Sequence, residues 1–140
     1  MEYAQVIDLV RQTKDIILNE EIDKAVRLKG KADFVTAIDV AVSNFLKEKL
    51  LRISPSIQFF SEEETGVLTD SCWILDPIDG TTNLVFGYRM SSVSLGLYQN
   101  GKILFGVVYN PYTDECFTAE RGKGAFLGAK RLQVSKRRIE

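Results

Sequence analysis

Apolar residues recur along the first segment at Val6, Ile7, Val10 and Ile17, with Lys, Asp, Arg and Gln between them. That spacing draws one stripe on a helix and predicts a helix over residues 2–19. Residues 20–35 are polar, and Lys29-Gly30-Lys31 reads as a turn. A second helical stripe covers residues 36–51, with Ile38, Ala41, Val42, Phe45 and Leu50 on its buried side. Thr36 followed by Asp39 resembles a capping box, which puts Asp39 in the first turn. Ser54-Pro55 ends that helix.

The pattern then changes to short apolar runs bounded by turn residues. Residues 56–60 read as a strand that ends at Ser61-Glu62-Glu63-Glu64, and residues 72–75 as a short buried strand. Residues 81–85 form a helical turn. Residues 92–98 and 103–109 flank Asn100-Gly101, the strongest hairpin signal in the chain. Residues 115–119 follow the turn Pro111-Tyr112-Thr113-Asp114, and Arg121-Gly122-Lys123-Gly124 turns again into residues 125–127. Two helices followed by a meander make an α+β domain, with the helices packed on an antiparallel sheet. The basic tail Lys130-Arg131 and Lys136-Arg137-Arg138 reads as solvated surface.

Composition narrows the chemistry. The 140 residues suffice for one domain with a real core, and 45% hydrophobic with 26% charged residues is ordinary for a globular protein. A net charge of -1 gives no field that argues for nucleic acid or an anionic membrane. No apolar run approaches the roughly 20 residues of a membrane span. The N-terminus lacks the basic region and apolar core of a signal peptide, so a cytoplasmic location is expected. Cys72 and Cys116 have no metal-type spacing and read as buried thiols. Only four residues separate Cys116 from Arg121, so the Cys-x5-Arg loop of thiol phosphatases is not present there. The chain has no histidine. That excludes Ser-His-Asp and Cys-His catalysis and every imidazole-dependent zinc site. Acid–base work falls to carboxylates, hydroxyls, lysines or metal-activated water.

One segment then stands out: Trp73-Ile74-Leu75-Asp76-Pro77-Ile78-Asp79-Gly80-Thr81-Thr82-Asn83. Two carboxylates leave a buried strand and cannot be solvated on all sides, so they need a cation. Oxygen donors of this kind suit a hard divalent ion such as Mg²⁺. The Gly-Thr-Thr step offers backbone N–H groups beside it, which suits a phosphate. Glu62 ends the preceding strand. If the two strands are neighbours, both exits lie at one edge of the sheet. Asp39 is a fourth candidate. An aspartyl-phosphate mechanism would need Asp-x-Asp, whereas Asp76 and Asp79 are three apart with Pro77 between.

Three ordered motifs carry a resemblance. Asp33-Phe34-Val35-Thr36-Ala37-Ile38-Asp39 is similar to D-x-V-T-x-x-D. Ser61-Glu62-Glu63 is similar to G-E-E. Trp73 to Asn83 is similar to W-x-x-D-P-I/L-D-G-T-x-N, and Val93-Ser94-Leu95 and Gly106-Val107-Val108-Tyr109 continue the match. The chain resembles the magnesium-dependent, lithium-sensitive inositol monophosphatase superfamily, which also holds fructose bisphosphatases and bisphosphate nucleotidases. The resemblance implies hydrolysis of a small phosphorylated alcohol by metal-activated water. It implies that Glu62, Asp76 and the carbonyl of Ile78 hold one Mg²⁺ and that Asp76 and Asp79 hold a second. A complete site would take two or three ions, with Ca²⁺ or Mn²⁺ as substitutes and Li⁺ as inhibitor. Thr81, oriented by Asp39, would help Glu62 position and deprotonate the attacking water. Asp79, Gly80, Thr81 and Thr82 would bind phosphate and substrate.

Departures from the family pattern set further expectations. Ser61 stands where the family has Gly, and Tyr88-Arg89-Met90 replaces an aromatic-Pro pair. The motif W-D-x-A-A-G of the family's second α/β domain is not found in these residues. Residues 1–140 therefore read as a single N-terminal catalytic domain, half of a layered αβαβα sugar-phosphatase fold, with the C-terminal domain absent. That leaves inositol phosphates, sugar bisphosphates and nucleotide bisphosphates open as substrates. It also implies weak or no activity for the isolated chain. The alternative is a non-catalytic metal- or partner-binding module. The expected partner is a small-molecule phosphate ester, with a homodimer covering apolar strand faces.

Overall fold

The computed structural model describes residues 2–19, 31–61 and 69–139. Helix α1 spans Tyr3–Ile17 and α2 spans Lys31–Ile53. Strands β1 (Gln58–Ser61) and β2 (Ser71–Asp79) follow, then the short helix α3 (Thr81–Val85). Strands β3 (Ser92–Gln99), β4 (Lys102–Asn110), β5 (Glu115–Glu120), β6 (Gly124–Leu127) and β7 (Lys130–Leu132) complete the order. The seven strands form one sheet in sequence order.

The two helical stripes and the Asn100-Gly101 hairpin fold as their patterns require. Three expectations need correction. Helix α2 begins at Lys31, so Thr36 and Asp39 lie inside it and Asp39 is not a capping-turn residue. No glycine or proline interrupts residues 31–53, so the helix runs unbroken from Lys31. The sheet is mixed, because β1 joins β2 in parallel while every later pairing is antiparallel. Strand β2 does not stop at Leu75 but runs on through Pro77 to Asp79. Lys130 and Arg131 are exposed, as solvated surface requires, and both pair with β6 in a last short strand. The polar turn expected at Lys29-Gly30 lies outside the described residues.

Helices α1 and α2 pack on each other and on one face of the sheet. Strand alternation supplies that face. Trp73, Leu97 and Phe105 form one cross-strand row, and Leu75, Leu95 and Val107 the next. All six are buried, against Val6, Val10, Ile38, Val42, Leu46 and Leu50 of the helices. Tyr3 adds a stacked ring on Phe105, with centroids 4.3 Å apart. The opposite face carries Gly96, Gly106 and Ala119 in one row. These small residues leave a depression of about 650 Å³ lined with Ile74, Asp76 and Phe126. Ile103, Val108 and Phe117 are exposed apolar residues among the described ones. No described helix is long and apolar enough to cross a membrane.

Two polar contacts pin the helices. Trp73 is fully buried, and its indole N–H donates to Ser54 Oγ at 3.0 Å. Ser54 in turn donates to the carbonyl of Leu50 at 2.8 Å, closing the end of α2. At the other end, Tyr109 donates to Asp114 at 2.7 Å, and Arg11 of α1 donates to the same carboxylate at 3.1 Å. The hydrogen bond from Tyr109 is the main cause that holds the Asp114 carboxyl below its ordinary value, and Arg11 adds to it. Burial first, then Asp114, pushes the Tyr109 phenol up. Cys72 and Cys116 are buried free thiols, as their sequence context implies.

Ser54→Ala leaves the indole N–H without its partner and is expected to lower unfolding free energy by about 1–3 kcal/mol, measured by urea denaturation. Because the Asp114 pKa is depressed in the fold, its contribution is present at neutral pH and is lost as pH falls through the folded value. The melting-temperature gap between wild type and Asp114→Asn is therefore expected to persist at neutral pH. It closes below the ordinary carboxylate value of 3.8. Calorimetric scans across that range check it.

Candidate active site

The site grows from the end of β2. Asp76 pairs with Ser94 and Asp79 pairs with Ser92, so three steps on β2 face two on β3. One extra residue therefore bulges out of β2 between the two aspartates. Pro77 lies in that bulge, where its missing N–H costs no ladder hydrogen bond. In a regular strand, residues three apart point to opposite faces. The bulge cancels one step, and Asp76 and Asp79 fall on the face that Ser94 and Ser92 share. Asp76 is half-buried and Asp79 is exposed, so the pair opens to solvent at the C-terminal end of β2.

Parallel pairing of β1 with β2 sets Ser61 beside Leu75, one residue short of Asp76. The conditional expectation of neighbouring strand exits therefore holds: β1 leaves the sheet at the same end as the aspartates. Glu62, the residue after Ser61, lies outside the described residues. Asp39 is half-buried in α2, which packs against β2 and α3. Among the described residues, no three carboxylates or thiols stand close enough to form a metal cluster by themselves. The available donors are the carboxylates of Asp76 and Asp79 and the carbonyl of Ile78. All are oxygen donors, the set that suits a hard divalent cation.

Beyond Asp79 the chain reverses at Gly80, whose φ is +86°. A side chain there would be strained by φ alone, and its Cβ would also meet the Met90 carbonyl oxygen at 2.8 Å. This turn lets Thr81 fold back, and its hydroxyl donates to the Ile78 carbonyl at 3.3 Å. Thr81 and Thr82 are both exposed. The carbonyl and hydroxyl named in the sequence thus meet. Ser91 and Asn83 also touch this turn, and the sequence alone assigns neither a role. Ser91 donates to the Gly80 carbonyl at 3.0 Å, and Asn83 donates to the Met90 carbonyl at 2.8 Å. The only sequence signal for either is the position of Asn83 within the motif.

The profile of the "Inositol monophosphatase family" matches residues 2–139. The chain belongs to the inositol monophosphatase family. It is 43% identical over 116 residues to "Inositol-1-monophosphatase" of Rhizobium meliloti, covering 81% of this chain and 44% of that protein. It is 40% identical over 144 residues to "Inositol monophosphatase 1" of Bos taurus, covering 96% of this chain and 51% of that protein. Its fold matches the extragenic suppressor protein suhB from Bartonella henselae with a TM-score of 0.83 at 31% identity. That match covers 98% of this chain and 56% of the other. The chain spans about half the length of the curated relatives it matches.

Gly80→Ala is expected to cost about 1–3 kcal/mol of stability, because it combines positive φ with a backbone clash. Chemical denaturation checks it, and an unchanged midpoint would contradict the close approach to Met90.

Proposed function

We propose that this chain supplies the catalytic residues of a Mg²⁺-dependent phosphatase that hydrolyses a small phosphorylated alcohol of the inositol monophosphate class. The observation that carries the proposal is the bulge at Pro77. It turns two carboxylates three apart into a same-side pair, next to a carbonyl and a hydroxyl that already touch. Ordered motifs and relatives named as inositol monophosphatases support the same reading.

Each residue then has a task. Asp76, with Glu62 and the Ile78 carbonyl, would hold one metal ion, and Asp79 with Asp76 would hold a second. When bound, Mg²⁺ supplies positive charge for the phosphoryl oxygens and lowers the pKa of a water. Glu62 and the Thr81 hydroxyl orient the attacking water, and Glu62 accepts its proton. Asp39 orients Thr81. The N–H groups of Gly80 and Thr81 hold phosphate oxygens, and Thr82 borders the substrate. Phosphoryl transfer asks chiefly for positioning and charge neutralisation, which is why a chain without histidine can carry it.

Phosphate release from inositol 1-phosphate by the full-length protein tests this. Activity is expected to require Mg²⁺, to fall with chelator, and to fall with Li⁺. Asp76→Asn is expected to reduce it on the order of 100-fold or more. No release with Mg²⁺, or full activity in Asp76→Asn, would refute the proposal. Calorimetric Mg²⁺ binding without turnover would identify a non-catalytic metal-binding module instead.

A further inference from the structure

We infer that Ser91, assisted by Asn83, is a positioning residue that aims the Thr81 N–H at the phosphate; this rests on the phosphatase reading above. The peptide between Gly80 and Thr81 is the link. A trans peptide is planar, so its carbonyl oxygen and its N–H point in opposite directions. Whatever fixes the Gly80 carbonyl therefore fixes the Thr81 N–H.

Two donors fix that carbonyl. Ser91 Oγ donates to it at 3.0 Å, and the Leu84 N–H donates at 3.1 Å. A carbonyl oxygen has two lone pairs, and both are then used. Ser91 is buried, at 4% exposure, so water does not compete freely for the bond. Segment 90–91 also lies directly behind Gly80, where the Met90 oxygen comes within 2.8 Å of the point that a Cβ on Gly80 would occupy. Asn83 holds that segment in place by donating to the same Met90 oxygen at 2.8 Å. The Tyr88 N–H closes the loop on the Asn83 carbonyl at 2.9 Å. The result is a clasp: Ser91 reaches forward to the turn, and Asn83 reaches back to the segment that carries Ser91.

Neither residue needs to touch substrate. Their effect passes through the orientation of one backbone donor. Catalysis by positioned donors depends on that orientation being fixed before the substrate arrives.

The test uses the full-length, isotopically labelled protein and two separate readouts. In the first, without metal or substrate, Ser91→Ala is expected to shift the Thr81 amide resonance and speed its hydrogen exchange. A Thr81 amide unchanged in position and exchange overturns the inference, whether or not the protein is a phosphatase. In the second, with Mg²⁺, Ser91→Ala is expected to raise both KM for inositol 1-phosphate and Kd for inorganic phosphate by about fivefold to tenfold, the size of one net hydrogen bond. Ser91→Thr, which keeps the hydroxyl, restores them, and Asn83→Ala shifts them in the same direction as Ser91→Ala. Simple loss of folded protein would lower apparent kcat and leave KM and Kd unchanged, and that result rejects positioning. A wild-type protein with neither phosphate release nor phosphate-dependent shifts at Gly80 and Thr81 contradicts the phosphatase reading, while the first readout still decides the role of Ser91.

Discussion

The hydrogen bond from the Trp73 indole to Ser54 fixes how the helical layer sits on the sheet. Trp73 is the largest fully buried side chain, and it lies three residues before Asp76 on the same strand. Ser54 closes the end of α2, the helix that carries Asp39. One polar contact in an apolar interior thereby sets the register between the strand with the paired aspartates and the helix with the third. An indole that large has few alternative placements, and leaving its N–H unpaired would carry a desolvation cost. Sliding α2 along the sheet would break this bond as it carried Asp39 along the strand.

The second constraint is local. A single inserted residue at Pro77 decides on which side of the sheet Asp79 emerges. Proline suits the place because it gives up a donor that a regular strand would need and the bulge does not. The Gly80 turn then continues the same economy of space. Its carbonyl faces the segment that opens β3, and its following N–H faces away. Strand irregularity, proline, glycine and buried serine act here as one unit of about fifteen residues, and each sits where a more regular residue would spoil its neighbour's geometry.

Much of this is legible in the residues alone. The stripes of α1 and α2 show because Val6, Val10, Ile38 and Val42 recur at helical spacing. The hairpin shows because Asn100-Gly101 supplies both positive-φ positions. Asp76, Asp79, Gly80 and Thr81 show because two acids beside a buried apolar run have few structural explanations. Other features are hidden for physical reasons. Parallel pairing of β1 and β2 leaves no mark on a four-residue strand, since alternation is the same for either direction. The bulge is a relation between two strands, and only Pro77 hints at it. The start of α2 is masked because Thr36 and Asp39 imitate a cap, yet helix-compatible residues precede them. Ser91 carries no motif, and its role exists only where β3 meets the Gly80 turn.

The order of strands in the sheet equals their order in the chain, and this shapes how the protein reaches its native state. Hairpins between sequence neighbours close short loops, so β2 to β7 can zip up through local contacts, which favours fast folding. Docking of α1 is another matter, since the Arg11–Asp114 contact spans 103 residues. Asp76 and Asp79 end β2, and Gly80 and Thr81 open its connection to β3, so all four belong to the locally paired part of the sheet. Asp39 arrives only when the helical layer closes over the sheet. The strand-end aspartates thus rest on contacts local in sequence, whereas the placement of Asp39 depends on docking of the helical layer.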